Sequence, residues 1–305
     1  MEVDRLMKGQ KVRGTNVDEW AEQTGLNWEV ESHQVKYGED NKLLGNRFVL
    51  VRSDTRHPLG LVSADYHVVQ PRDILEFFKG IIDGFGGFEI TNAGAMRGGQ
   101  KVWARAILPD GTHAVGGHER ADFVERELFL CTSYDLTKRT TAQQSVLRHS
   151  CTNRMIFKVL GEAKMEFSHR SVFNRESALQ RMALDEQWSD MMETLDTLAH
   201  RKMLENELKD YFRELFFPSR TRHLPTYNPE SADRKVAKML EVYERAPGQA
   251  EAKGTRWGGL NAVTFYVDHE MKSRAGEDVL QDRIIFGDGA ELKRRALELA
   301  LALPA

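Results

Sequence analysis

The spacing of apolar residues changes near Asn174, and this constrains the fold more than any other feature of the chain. Before it, short apolar runs are broken by glycines and turn residues. After it, apolar residues recur at steps of three and four. A period of two belongs to strands and one near 3.6 to helices, so the two halves are built from different elements.

In the first half, Arg47 to Arg52 (RFVLVR) and Leu59 to Ser63 read as strands joined by the polar hairpin loop between them. Pro71 opens a helix, because proline's missing N–H costs nothing in a first helical turn. Ile74, Leu75, Phe77, Phe78, Ile81 and Ile82 give that helix an apolar face, and Gly84, Gly86 and Gly87 end it. Phe88 to Thr91, Lys101 to Leu108, Glu127 to Thr132 and Lys164 to Ser168 are further strand candidates. Pro109-Asp110-Gly111 reads as a turn, and Thr137 to Leu160 as largely helical.

From Ser171 the helical step runs through Leu179, Met182, Trp188, Met191, Leu195, Leu198, Leu204, Leu208 and Phe212, stopping before Pro218. Pro218 to Pro229 is a connector. Glu230 to Arg245, Trp257 to Met271 and Glu291 to Leu303 read as helices. The expected class is α+β: an antiparallel sheet with packed helices in the N-terminal part and a mainly helical C-terminal part. The expected division is an extension over 1–45, an α+β core over 46–173 and a helical region over 174–305.

Composition excludes some classes. With 41% apolar and 29% charged residues over 305 positions, the chain can bury a core and is not disordered as a whole. The net charge of −3 means that any binding of nucleic acid rests on local clusters of cations. Cys131 and Cys151 are too few for a disulfide framework, which fits a reducing compartment. Residues 1–10 hold no apolar run, and no stretch reaches 18 apolar residues, so the expectation is a cytoplasmic protein without membrane contact.

Motifs for chemistry are weak. The stretch Gly94 to Lys101 has glycines and a lysine, but Gln100 and Val102 stand where a phosphate loop needs its Gly-Lys-Ser/Thr order. His113, His118, His149 and Cys151 lack the paired short spacing of a zinc site. Asp110, Glu162 and Lys164 have the residue types of a metal-dependent nuclease, in which two carboxylates hold magnesium and activate water, but they are far apart in sequence. No Gly-x-Ser-x-Gly elbow occurs. The expectation is a protein with no catalytic residues, cofactor or metal.

Two acid-free basic stretches carry more. In the first, Arg97, Lys101 and Arg105 surround Trp103. On a strand, Lys101, Trp103 and Arg105 share one face. If that face is open, the cations meet phosphates and the ring stacks on a base. If it is closed, Trp103 belongs to the core. The second stretch, Leu136 to Leu160, holds Lys138, Arg139, Arg148, Arg154 and Lys158 among threonines, glutamines and an asparagine, the usual donors to phosphate and sugar oxygens.

Beyond composition, several ordered blocks resemble a known family. They are Arg47 to Thr55, Leu59 to Tyr66, Val68 to Gln70, Ala93 to Gly99, Val102-Trp103, Gly254 to Thr264 and Phe286 to Gly289. Together they resemble the phage/plasmid-like protein family, long listed as a domain of unknown function. That family is similar to the single-strand annealing proteins of the RecT, Red-beta and Rad type. The resemblance implies an ATP-independent protein of a phage or plasmid recombination system. Such a protein assembles as a ring or filament, holds single-stranded DNA in a basic groove and pairs complements. A phage or host exonuclease or single-strand-binding protein is the implied partner. One departure stands out: family members tend to carry glycine where Leu136 follows Ser133-Tyr134-Asp135. The competing readings are a metal-dependent nuclease and a non-enzymatic adaptor.

Overall fold

The computed structural model describes residues 10–85, 89–117, 122–149, 154–156, 164–167 and 184–304. The class is α+β, as the change of period predicts. The strands are β1 (Gln10–Lys11), β2 (Val30–Tyr37), β3 (Lys42–Arg52), β4 (Pro58–Ser63), β5 (Glu89–Met96), β6 (Lys101–Ala114), β7 (Phe123–Ser133), β8 (Thr140–Arg148), β9 (Arg154–Ile156) and β10 (Lys164–Phe167). The central antiparallel sheet runs β1-β5-β6-β7-β8-β10, with β9 also on β8, and a second sheet runs β2-β3-β4.

Helix α1 (Val17–Thr24) begins where the Asn16 side chain accepts from the Asp18 N–H at 2.9 Å and ends on Gly25, whose φ of 64° suits glycine. Helix α2 (Pro71–Phe85) starts at the expected proline. Its Ile74, Phe77, Phe78 and Ile81 are fully buried, each contributing about 1.5–3 kcal/mol. They pack with Trp20, Leu26, Leu50, Leu59 and Val62 against Val102, Ala104, Ala106, Leu128 and Leu130 of the central sheet.

The remaining helices are α3 (Leu184–His200), α4 (Glu205–Phe216), α5 (Pro229–Arg245), the single turn α6 (Gln249–Ala252), α7 (Arg256–Phe265), α8 (Glu277–Ile285) and α9 (Asp288–Ala302). A π-helical turn, Tyr266–Glu270, extends α7. Their apolar faces join Trp103, Phe129, Cys131, Val124 and Val146 of the sheet in one continuous core. The helical half is therefore packed onto the sheet.

Four expectations are corrected. Thr137 to Leu160 is not helical where described. Thr140–Arg148 is strand β8, paired with β7 from Val124↔Arg148 to Cys131↔Thr141. Its polar side chains are inside and bonded across strands: Thr140 to Thr132 at 2.8 Å and Ser145 to Glu127 at 3.0 Å. Pro109 to Gly111 is not a hairpin turn but a register shift inside β6, between Ile107 and Thr112. Residues 10–45 are not an appended extension, because β1 pairs with β5, Trp20 is buried and β2 pairs with β3. Finally, α8 was not expected at all.

Candidate nucleic-acid interface

In an antiparallel meander, alternate turns lie at the same end. The β5–β6 turn (Arg97 to Gln100) and the β7–β8 turn (Tyr134 to Arg139) therefore sit together, and the Tyr134 N–H donates to the Gln100 carbonyl at 2.8 Å. The β3–β4 turn (Ser53 to His57) joins them. Arg52 Nη1 donates to the Gly98 carbonyl at 3.2 Å, and the His57 ring lies so close to Gly98 that a Cβ there would be 2.9 Å from Nε2.

Each of these turns carries a non-glycine residue in the left-handed region: Arg56 at φ 58°, Arg97 at 52° and Leu136 at 61°. Among the described residues only Asn41 shares this property, and asparagine tolerates it. Left-handed backbone at an ordinary side chain costs about 1–2 kcal/mol and tends to collect at functional sites. Leu136 is also 56% exposed, an apolar side chain held in water on a strained backbone.

The turns are anchored from beneath. Tyr134 is fully buried, donates through its hydroxyl to the Val69 carbonyl at 2.8 Å, and meets Trp28 edge-on at 6.3 Å. Burial raises its phenol well above the ordinary value, so the hydroxyl stays protonated and donating. The Tyr66 hydroxyl, raised likewise by burial, donates to the Ser133 carbonyl at 3.0 Å. Ser133 Oγ closes the β7–β8 turn by donating to the Lys138 carbonyl and accepting from its N–H, at 2.8 and 3.0 Å.

Arg52 stacks 4.2 Å from the Trp28 ring centroid and grips Asp54 at 2.9 and 2.7 Å, which holds the Asp54 carboxyl below its ordinary value. Arg56 pairs with Glu31 yet remains 66% exposed. Arg139 is exposed, and Lys138 is half-buried. The turns at this end of the sheet thus carry Arg56, Lys138 and Arg139 together with the exposed Leu136.

Residues 58–285 match the family model described as a domain of unknown function, DUF932. The chain belongs to the DUF932 family. No curated protein and no solved structure matches it. In this DUF932 chain the matched span includes the β5–β6 and β7–β8 turns, and the β3–β4 turn lies just before it.

Several residues expected to contact nucleic acid are inside the protein. Trp103 is 1% exposed and stacks on Phe129 at 5.9 Å, so its face of β6 is the closed one. Lys101 is buried against Asp282, which also accepts from Arg97 Nε at 2.6 Å. Arg105 is buried against Glu127 at 2.9 Å and Thr91 at 3.0 Å. Arg148 is buried against Asp122. A cation already desolvated and paired is not available to a phosphate in this conformation, so these three leave the candidate surface along with Trp103. Arg97 remains at its edge. Arg154 lies in β9 but its side chain is not among those described, and Lys158 lies outside the described residues.

Sequence reasoning missed Arg56 and His57. The signal lies in the polar hairpin run Ser53 to Pro58, which holds Arg56 and His57 side by side. Asp110 lies within β6, its side chain undescribed, and Glu162 lies outside the described residues. Among the described residues, no group of three His, Cys, Asp or Glu is placed to hold a metal ion, and no helix is long and apolar enough to cross a membrane.

Proposed function

We propose that this DUF932 protein binds single-stranded nucleic acid and anneals complementary strands without ATP, as part of a phage or plasmid recombination system. The observation that carries the reading is the convergence of three turns with left-handed residues, which carry Arg56, Lys138, Arg139 and the exposed Leu136. Exposed cations suit phosphates, and an exposed apolar side chain on the same turns suits an unstacked base. The resemblance to annealing proteins supports the same reading, with an exonuclease or single-strand-binding protein as the expected partner.

A second feature favours self-association, which annealing requires. Beyond β4 the β2–β3 hairpin runs on alone, and residues 36–47 are exposed on both faces. Tyr37 at 54%, Leu43 at 53% and Leu44 at 43% are large apolar side chains exposed in this arm.

The test is binding of a fluorescent single-stranded oligonucleotide across a salt series, without ATP or metal. Wild type is expected to weaken steeply with salt, and the variant Arg56→Ala/Lys138→Ala/Arg139→Ala to lose about two units of the log–log slope, at roughly 0.7 per phosphate contact. Absence of binding at low salt would sink the reading. Magnesium-dependent loss of the oligonucleotide would replace it with a nuclease.

A further inference from the structure

On the helical side, far in sequence from the turns, an open cleft of about 690 Å³ lies between α4, α5, the π-helical turn, α8 and α9. Its size is that of a small-molecule site. On its wall Lys235 Nζ sits 3.5 Å from the Tyr266 ring centroid and 4.3 Å from that of Phe216. The two rings meet edge-on at 6.0 Å. A lysine held over two ring faces is oriented in advance, so little conformational freedom remains to be lost on binding.

The charges of the cleft do not balance. Each acid on its wall is matched by a cation: Glu270 by Arg245 and by Lys238, Asp288 by Arg283, and Glu291 by Arg294. Lys235, Lys272 and Arg295 also line it, and among the described residues none of the three meets a carboxylate. Arg295 Nη2 donates to the Leu215 carbonyl at 2.7 Å, which fixes its guanidinium at the wall. Three positive charges thus face a cavity whose remaining surface includes Met271 and Leu292.

We propose that this cleft binds an organic phosphate of mononucleotide size. Lysine ammonium groups and a fixed guanidinium are the usual partners of phosphate oxygens, and the apolar wall accommodates the organic part. The face of Tyr266 is already taken by Lys235, so recognition rests on the phosphate and on edge contacts. The site shares no residue with the turn surface and stands or falls separately from it.

Calorimetric titration of the full chain with AMP, ATP and inorganic tripolyphosphate tests this. Saturable one-site binding of a nucleotide is expected, tighter than that of tripolyphosphate. It should weaken at least tenfold in Lys235→Gln/Lys272→Gln and be unchanged in Lys253→Gln, whose lysine pairs with Glu244 elsewhere. The single variant Lys272→Glu, at an exposed position, should weaken it as well and guards against misfolding of the double variant. No saturable binding, or binding indifferent to both variants, would overturn the proposal. Tripolyphosphate binding as tightly as nucleotide would overturn its organic half.

Discussion

Arg148 and Asp122, 26 residues apart in sequence, face each other through two hydrogen bonds of 2.7 Å in the interior of the protein. The indole N–H of Trp257 donates to the same carboxylate at 2.6 Å, so the pair ties β8 to helix α7. Removing one partner leaves the other charge buried and uncompensated, which costs about 3–5 kcal/mol. Arg148→Ala is therefore expected to lower unfolding stability by that amount in urea. Adding Asp122→Asn should restore part of it, because the charge goes while an acceptor for Trp257 remains. The folded fraction of Arg148→Ala should bind single strands with the wild-type salt slope.

Gly60 of β4 lies directly over the carbonyl of Tyr134. A Cβ at this position would be 2.1 Å from that oxygen and 3.0 Å from its carbon. Neither backbone can yield without moving the small sheet off the central one. Gly60→Ala is expected to cost roughly 1–3 kcal/mol in a urea titration, at the scale of overpacked cores. It should also weaken protection of the Tyr134 amide against hydrogen exchange.

Leu136 takes a backbone conformation that suits glycine. Leu136→Gly should raise stability by about 1 kcal/mol, read from the urea midpoint. If the exposed side chain serves a bound base, the same change should weaken oligonucleotide binding. A gain in stability with no loss of binding would make Leu136 a bystander.

The Asp54 carboxyl is held below its ordinary value of 3.8, first by the hydrogen bond from Arg52. A depressed carboxylate adds stability that is present above the unfolded value and is lost as pH falls through the folded one. The β3–β4 turn should thus stay anchored down to about pH 4 and loosen below it. Carbon-13 titration of the Asp54 carboxyl should give a midpoint under 3.8, returning toward it in Arg52→Gln.

The fold class was legible because apolar period is a local property. Ile74, Phe77, Phe78 and Ile81 announced α2, and the helix expected over Glu230 to Arg245 is α5. Strand β8 was misread for a reason equally physical. Its Thr-Thr-Ala-Gln-Gln-Ser segment has polar residues at every phase, and the partners that allow them inside, Thr132, Glu127 and Asp122, lie on other segments. The acid-free windows misled in the same way. Arg105 and Lys101 have no acid nearby in sequence, yet Glu127 and Asp282 reach them across strands and from α8. Charge counted along a chain sees neighbours in sequence, and the sheet pairs neighbours in space. The turn surface was only half visible, since Lys138 and Arg139 were flagged but a left-handed arginine leaves no mark in composition.

Helix α8 presents two consecutive residues to different parts of the molecule. Asp282 points into the sheet and holds Arg97 at the rim of the turn surface, while Arg283 lines the cleft against Asp288. The helix thus takes part in both surfaces through adjacent residues, one holding the turn rim and the next bordering the cleft.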